Sequence, residues 1–201
     1  LGRDNLNVIF DLGNVILDWN TEGILDSLCI DNNDRSLLRD ELFAHQDWLD
    51  MDCGLRSEAC VVNRVIERSG LGIDIIDKAL RAAKESLVPI PESVQLLTEA
   101  HTAGMSVYCL SNMSVETYQH VKEKDFFSLF KGTVISGKEK CMKPDNQIFE
   151  LIIKRYELNP ASTLFIDDSL PNVQAANDLG MVGYHFMRSK ECYSQIRKLL
   201  N

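Results

Sequence analysis

The stretch Asn7-Val8-Ile9-Phe10-Asp11-Leu12-Gly13-Asn14-Val15 decides the fold. Its first part is a short apolar run of β-branched and aromatic side chains, which predicts a buried strand over Asn7–Phe10. The carboxylate of Asp11 follows directly, and Gly13 allows the chain to turn sharply after it. In parallel α/β sheets, ligands lie beyond the carboxyl ends of the strands, so Asp11 stands where a functional side chain is expected.

Further apolar runs predict the remaining strands, which are Ser106–Leu110, Thr133–Ile135, Leu164–Ile166 and Val182–Phe186. Helical patterns separate most of these runs. We predict helices over Pro91–Ala103, Pro144–Tyr156 and Pro171–Leu179, because each opens on proline and carries a helical pattern. Alternation of strands and helices indicates an α/β fold with a doubly wound parallel sheet.

Residues 20–88 interrupt this alternation, because they contain no convincing strand. Their patterns predict helices over Thr21–Cys29, Asn33–Ala44, Arg56–Ser69 and Asp74–Leu87. We therefore predict an α/β core formed by residues 1–19 and 89–201, with an inserted helical cap at residues 20–88. The Pro89-Ile90-Pro91 stretch is expected to lead back into the core.

The chain of 201 residues holds 30 acidic and 21 basic side chains, a net charge of −9. The first 60 residues account for all of it, with 13 acidic and 4 basic side chains. Since nucleic acids are bound by clustered Lys and Arg, we expect no nucleic-acid partner. The apolar stretches are too short to span a bilayer, so we also expect no membrane partner. Six cysteines without a C-x-x-C pair favour a reducing compartment, and a cytoplasmic protein is expected.

Polar side chains follow the ends of the other predicted strands as well. Ser111-Asn112 follows the second strand, Lys143 lies beyond the third, and Asp167-Asp168 follows the fourth, with Asn172 shortly after. Because the carboxyl ends of parallel strands meet at one edge of the sheet, these groups are expected to converge on Asp11. A single aspartate at a strand end most often caps a turn, but the whole set in this order is far more specific.

The converging groups suit phosphoryl transfer. A strand-end carboxylate such as Asp11 can attack phosphorus and form an acyl-phosphate. The transferred group carries negative charge that calls for Mg²⁺ and a cation, which Asp168 and Lys143 can supply together with Asp11. Gly13 and Asn14 are small enough for backbone N–H groups to approach the phosphate.

The motifs V-I-F-D-L-G-N-V, L-S-N, M-K-P-D and F-I-D-D-S-L-P-N-V-Q-A-A together resemble those of the haloacid dehalogenase superfamily of aspartate-nucleophile hydrolases. The resemblance covers nearly the whole chain and implies the strand order 5-4-1-2-3, with a helical cap of the first class. Within the superfamily, D-L-G-N-V resembles a bacterial phosphatase group that acts on sugar phosphates, including α-D-glucose-1-phosphate. The resemblance thus implies a Mg²⁺-dependent phosphatase of a small phosphomonoester.

The resemblance also implies a magnesium site. Asp11 is expected to be both nucleophile and ligand, and the backbone carbonyl of Gly13 and the carboxylate of Asp168 are the other expected ligands. Asp167 and Asn172 are expected to position Asp168 or its waters.

A phosphate site is implied beside the metal. Ser111 and Asn112 are expected to hold the phosphate, and Lys143 to steady both the nucleophile and the phosphate. Asn14 is expected to bind substrate, since the loop after Asp11 surrounds the phosphate.

Gly13 departs from the usual phosphatase motif, which has there a second aspartate that protonates the leaving oxygen and then activates water. Three explanations stay open: a phosphatase with another acid or an easy leaving group, a dehalogenase, or a weakly active protein retained for binding or regulation. Dehalogenases of the superfamily lack this aspartate and work without metal, but their fourth motif differs from Asp167-Asp168, which favours a phosphatase. Without an acid, aryl phosphates and anomeric sugar phosphates are expected to react faster than alkyl phosphates.

Three features of the cap region have two interpretations each. His45 is either a substitute acid or substrate contact, or a structural side chain, and the second is favoured. Asp18 and Trp19 either gate the site, or Asp18 caps the first cap helix. The segment Asp52–Glu58 is either a loop that contacts the substrate or a helix start, with Ser57 as its N-cap.

Overall fold

The computed structural model describes residues 6–200, which form one five-stranded parallel sheet with helices on both faces. The strands are β1 Asn7–Phe10, β2 Ser106–Ser111, β3 Gly132–Ile135, β4 Thr163–Asp167 and β5 Val182–His185. Their spatial order is β3-β2-β1-β4-β5, so the predicted α/β class and strand order are confirmed. Strand β1 lies in the centre, paired with β2 on one side and β4 on the other.

The central strand is buried on both faces. Val8, Ile9 and Phe10 have no exposed surface. Val8 and Phe10 belong to one apolar cluster, whereas Ile9 belongs to the cluster on the opposite face of the sheet. This double burial explains why the strand is a continuous apolar run instead of an alternating one.

Helices cover the sheet and form the segment between β1 and β2. Within residues 6–200 the α-helices, in chain order, are α1 Thr21–Ser27, α2 Asn32–Leu38, α3 Gln46–Asp52, α4 Glu58–Ser69, α5 Ile73–Glu85, α6 Pro91–Thr102, α7 Val115–Val121, α8 Ser136–Glu139, α9 Asn146–Arg155, α10 Leu170–Asp178 and α11 Lys190–Leu200. Two 3₁₀ turns lie at Asp125–Leu129 and Pro160–Ser162. None of these helices is both long and apolar enough to cross a bilayer.

Helices α1–α5 pack around an apolar cluster of their own, which includes Leu38, Val61, Ile76 and Leu80. The chain leaves and re-enters the sheet region through two adjacent segments. Leu17 pairs with Pro89, and the Ile90 N–H donates to the Ile16 carbonyl at 2.8 Å. These contacts lie beside the predicted boundaries of the cap, and the division into domains stays a prediction.

The sequence predicts four helices in residues 20–88, whereas the structure has five α-helices there, α1–α5. The predicted helix Asn33–Ala44 is a shorter α-helix, α2, followed by a π-helical segment at Arg39–Phe43. Helix α3 was not predicted at all, because its acidic sequence lacks a clear apolar stripe. His45 caps it, since Nδ1 accepts a hydrogen bond from the Asp47 N–H at 3.1 Å, which is the structural interpretation of His45.

Several predicted ends are shifted. Strand β2 continues to Ser111 and β4 to Asp167, because the backbones of the polar residues that follow the apolar runs still pair in the sheet. The helix predicted from Pro144 begins at Asn146, since the preceding residues form a turn in which the Asp145 N–H donates to the Met142 carbonyl.

Part of the acidic excess of the first 60 residues forms ion pairs within the cap. Asp47 is only 2% exposed, and its carboxylate lies 3.2 Å from Arg56, 2.9 Å from Arg64 and 2.6 Å from Arg68. Burial acts to raise the pKa of Asp47, but hydrogen bonds from Arg64 and Arg68 outweigh it and lower the pKa. Asp47 therefore joins α3 to α4 as a charged, satisfied carboxylate.

Candidate active site

Lys143 lies at the centre of the polar groups that follow the strands. Its Nζ atom lies 2.8 Å from Asp11 Oδ1 and 2.6 Å from Asp167 Oδ2, and it donates a hydrogen bond of 2.9 Å to the Leu110 carbonyl. Asp11 follows β1, Asp167 ends β4 and Leu110 lies on β2, so three neighbouring strands place these groups. The predicted convergence of Asp11, Lys143 and Asp167 is thus present in the structure.

Burial shapes the charge state of this cluster. Burial acts to lower the pKa of Lys143, but the carboxylates of Asp11 and Asp167 outweigh it, and the pKa is raised. Lys143 is therefore a permanent ammonium. Burial raises the pKa of Asp11 to about 7, although Lys143 opposes the change. Charged Asp11 thus depends on the neighbouring ammonium.

Asp167 is bonded to Lys143, and its predicted role in positioning Asp168 or its waters stays a prediction. Its carboxylate has no exposed surface. It accepts hydrogen bonds from the Asn172 side chain at 3.0 and 3.1 Å and from the Ser169 N–H at 2.8 Å. With Lys143 added, this carboxylate is fully hydrogen-bonded. Asn172 therefore orients Asp167, which in turn orients the lysine.

Asn112 is bonded to the backbone of Lys143. Its side-chain nitrogen donates to the Lys143 carbonyl at 2.8 Å, and its side-chain oxygen accepts from the Lys143 N–H at 2.8 Å. The amide group thus fixes the Lys143 backbone, and a contact between Asn112 and phosphate stays a prediction. Ser111, which is 2% exposed, lines the cavity described below, and its contact with phosphate stays a prediction.

Asn14 holds the loop after Asp11 in shape. Its φ of 54° lies in the left-handed region, which asparagine tolerates better than most residues. Its N–H donates to the Leu17 carbonyl at 2.7 Å, and its side chain bonds to the Trp19 N–H and to Asp168. The Asn14 N–H is therefore used within the loop, and binding of substrate by Asn14 stays a prediction.

Three carboxylates form a potential cation site. Single oxygen atoms of Asp11, Asp167 and Asp168 all lie within 4.8 Å of one another. Burial raises the pKa of Asp168, which shows that its charge is poorly compensated by the protein alone. A set of hard carboxylate oxygens with one lysine among them fits Mg²⁺. Of the predicted ligands, Asp11 and Asp168 belong to this set, and the Gly13 carbonyl stays a prediction.

A cavity of about 150 Å³ opens beside Gly13 and Ser111. Apolar side chains make up most of its other walls: Trp19, Trp48, Met51, Leu80, Ala83, Leu87 and Met113. The rings of Trp19 and Trp48 lie 5.7 Å apart between their centroids. The group attached to a phosphate at Asp11 would thus enter a largely apolar, aromatic space.

Charged side chains in this cavity are few. Lys84 Nζ lies 2.6 Å from Glu58 Oε2, and Asp52 lines the cavity as well. Sequence reasoning did not single out Trp48, Met51 or Lys84 as site residues. Their helical spacing predicts packing within the cap equally well, so the sequence holds no signal that separates a cavity wall from a core.

Asp18 does not cap α1. Asn20 is the N-cap, accepting from the Gly23 N–H at 3.1 Å, and Asp18 instead pairs with Arg188 beyond β5. Trp19, by contrast, lines the cavity, and a gating role for it stays a prediction.

Comparison with known proteins identifies the class. A family model of haloacid dehalogenase-like hydrolases matches residues 7–180. The chain belongs to this family, as the resemblance of its motifs implied, and it is a hydrolase with an α/β core.

Two curated relatives match nearly the whole length of this chain. Sesquiterpene phosphatase astK of Aspergillus oryzae is 28% identical over 193 residues, covering 96% of this chain and 95% of the relative. Drimenol cyclase drtB of Aspergillus calidoustus is 26% identical, covering 96% of this chain but only 36% of that longer protein.

Solved structures share the fold. A haloacid dehalogenase family enzyme of Bacteroides thetaiotaomicron, in complex with magnesium and inorganic phosphate, has a TM-score of 0.74 and 24% identity, covering 92% of this chain and 96% of that one. L-2-haloacid dehalogenase of Xanthobacter autotrophicus, with chloropropionic acid covalently bound, has a TM-score of 0.66 and 18% identity, covering 95% and 81%.

Proposed function

We propose that this hydrolase is a Mg²⁺-dependent phosphatase that cleaves a small phosphomonoester through an aspartyl-phosphate on Asp11. The observation that carries the proposal is the contact of 2.8 Å between Asp11 and the buried ammonium of Lys143. The ammonium opposes the rise that burial causes in the pKa of Asp11, and it leaves a positive group where the phosphate must lie.

In the proposed reaction, a carboxylate oxygen of Asp11 forms a bond to phosphorus as the bond from phosphorus to the leaving oxygen breaks. Lys143 stabilises charge on the transferred phosphoryl oxygens, and Asp167 and Asn112 hold the lysine in place from its head and its backbone. Ser111 donates its hydroxyl to the phosphate. Water then attacks the phosphorus of the aspartyl-phosphate, which releases inorganic phosphate and regenerates Asp11.

Asp11, Asp168 and the Gly13 carbonyl are proposed to hold the magnesium ion. Bound there, the ion supplies positive charge that offsets the phosphate and the surrounding carboxylates. The fit rests on the close approach of the three aspartates in this structure. The structure of the Bacteroides thetaiotaomicron enzyme in complex with magnesium and inorganic phosphate supports magnesium as the cation.

The charge balance favours a phosphatase over a dehalogenase. Asp11, Asp167 and Asp168 bring three carboxylates to one lysine, and a metal-free reaction would leave two of these negative charges uncompensated. A metal ion removes that cost. The same completeness of the site counts against a protein retained only for binding.

Two kinds of organic group are proposed to carry the phosphate of the substrate. The D-L-G-N-V motif favours a sugar phosphate such as glucose-1-phosphate. The apolar walls of the cavity favour an apolar body instead, because a hexose would leave its hydroxyl groups facing tryptophan, methionine and leucine side chains. The name of the Aspergillus oryzae relative, a sesquiterpene phosphatase, supports a terpenyl phosphate, and the cavity makes this the stronger candidate.

We also propose a cytoplasmic location. All six cysteines are free thiols, which is expected in a reducing compartment.

Release of inorganic phosphate tests the proposed function. The purified protein is assayed with glucose-1-phosphate, farnesyl phosphate and 4-nitrophenyl phosphate, with Mg²⁺ or with EDTA, and 2-chloropropionate is assayed for halide release. Phosphate release that requires Mg²⁺ and is lost in Asp11→Asn supports the phosphatase. Halide release without phosphate release, or full activity of Asp11→Asn, would overturn it.

A further inference from the structure

Gly13 leaves the position of the usual acid empty. A Cβ atom built at Gly13 would meet no other atom within 4 Å, so the space beside the nucleophile is open to the cavity. A leaving oxygen that enters this space therefore needs a proton from another side chain. The candidates are the ionisable groups that line the same cavity, which are Asp52, Glu58 and Lys84.

Asp52 is the candidate that is fixed against the core. It is the last residue of α3. Its Oδ1 accepts a hydrogen bond of 3.0 Å from the Ser114 N–H, in the loop that follows Ser111. Its backbone carbonyl accepts a hydrogen bond of 2.5 Å from the Ser136 hydroxyl. Two core elements thus hold this residue of the cap on the side of the cavity that contains Ser111.

Glu58 and Lys84 are less suitable, because they are paired with each other. Other charged groups around Asp52 have partners too: Asp50 contacts Arg56, Glu139 contacts Arg155, and Lys138 lies over the Tyr118 ring. The groups that donate hydrogen bonds to the Asp52 carboxyl, the Ser114 N–H and the Trp48 indole, are neutral. Burial raises the pKa of Asp52 to about 7, so in neutral solution a much larger fraction of this carboxyl is protonated than of an ordinary aspartate.

We propose that Asp52 supplies the proton that Gly13 cannot, so that the general acid of this enzyme comes from the cap instead of the loop after β1. The inference rests on the proposed phosphatase function. As the bond from phosphorus to the leaving oxygen breaks, the Asp52 proton passes to that oxygen and the alcohol departs. The Asp52 carboxylate then takes a proton from the water that attacks the aspartyl-phosphate, which restores the acid and balances the cycle.

This proposal reverses the expectation drawn from Gly13 alone. An enzyme without an acid favours aryl phosphates strongly, because only a stabilised leaving oxygen can depart unprotonated. With Asp52 as the acid, esters of simple alcohols come within reach. Benzyl phosphate and 4-nitrophenyl phosphate form a suitable pair, since both have an aromatic ring. Only the benzyl ester has a strongly basic leaving oxygen, which would depart as an alkoxide without a proton.

The test compares the wild type with Asp52→Asn on both esters, at saturating Mg²⁺. We expect kcat for benzyl phosphate to fall about 100-fold, within the usual range for loss of a general acid, and kcat for 4-nitrophenyl phosphate to fall less than about tenfold. Since both esters are measured on one sample, their ratio is independent of the fraction of folded protein. The wild-type kcat for benzyl phosphate is expected to fall above neutral pH, and Asp52→Asn is expected to lose this limb.

Asp50→Asn is the matched control, because it removes the neighbouring carboxylate of α3, which pairs with Arg56, and leaves the Asp52 carboxyl in place. It is expected to change kcat for both esters equally. Adding Gly13→Asp to Asp52→Asn is expected to recover at least about tenfold of the lost benzyl phosphate turnover.

Equal losses on both esters in Asp52→Asn, or a wild type that already hydrolyses benzyl phosphate far more slowly than 4-nitrophenyl phosphate, would overturn the proposal. The proposed function would survive either result as long as Asp11→Asn remains inactive.

Discussion

The Nζ atom of Lys143 lies 2.6 Å from Oδ2 of Asp167, and both side chains are sealed from solvent. Asp167 is in turn bonded to Asn172 and to the Ser169 N–H, so the lysine has little freedom to turn. Its remaining hydrogen bonds go to Asp11 and to the Leu110 carbonyl. The pair therefore fixes the charge and direction of the group that faces the nucleophile.

Replacing Lys143 with methionine should destabilise the protein and abolish phosphate release. The change leaves Asp11 and Asp167 buried without their cation, which typically costs about 3–5 kcal/mol. The free energy of unfolding, measured with urea at pH 8, checks this. The deficit should shrink at pH 5, because burial raises the pKa of Asp11 and this carboxylate can then take up a proton. Lys154→Met, which changes an exposed lysine of α9, is the control. A Lys143→Met protein as stable as this control at pH 8 would contradict the ion-pair account.

Asp168→Asn should weaken the binding of Mg²⁺ and change the free energy of unfolding little. Asp168 is half-buried beside Asp11 and Asp167, and the amide replaces one of the hard anionic oxygens. We expect the Mg²⁺ concentration for half-maximal activity to rise at least about tenfold, a loss typical of altered metal sites. Calorimetric titration with Mg²⁺ should show the same weakening without substrate. Asp178→Asn, at an exposed position that ends α10, should leave both values unchanged.

The sequence predicts the sheet well because its signals are local. The run Val8-Ile9-Phe10 is apolar over its full length since both of its faces are buried, and Asp11 follows where the strand ends. The roles of Asn112 and Asp167 could not be predicted in the same way. Each has the right chemistry for phosphate or metal, and only the distances show that both are bonded to Lys143.

The cap shows the same limit more strongly. Leu80 and Ala83 have the spacing of core residues, and they are indeed buried, yet they also line the cavity. Helix α3 escaped prediction because Asp47 and Asp50 look like surface residues in the sequence. Their partners, Arg64 and Arg56, come from later in the chain.

Ala83→Phe should discriminate between substrates by size. Ala83 is 3% exposed and borders the cavity, so a phenyl ring there takes up space that a long apolar body needs. We expect kcat/KM for farnesyl phosphate to fall at least about tenfold, and that for acetyl phosphate to change less than about threefold. Ala59→Phe, at an exposed position of α4, serves as the control for an added ring. Equal losses on both substrates would argue against the cavity as the binding site.

The stability of the protein should depend on pH through Asp52. Its pKa is about 7 in the folded state, well above the ordinary value of 3.8. Unfolding therefore releases a proton between these two values, and the free energy of unfolding falls as the pH rises through that window. Asp52→Asn removes this term, so the wild type should lose stability relative to the variant from pH 4 to pH 7. Urea unfolding of both proteins at several pH values measures the difference, and a constant difference would show that Asp52 is an ordinary acid.

Trapping the phosphorylated enzyme tests the central claim most directly. The protein is mixed with 4-nitrophenyl phosphate and Mg²⁺, quenched in acid within the first turnover and digested for mass spectrometry. The account predicts one phosphate on the peptide that contains Asp11, attached at Asp11 and absent from Asp11→Asn. Active enzyme that carries its phosphate on another residue would contradict the account, as would active enzyme in which borohydride reduction, which converts an aspartyl-phosphate to homoserine, leaves Asp11 unchanged.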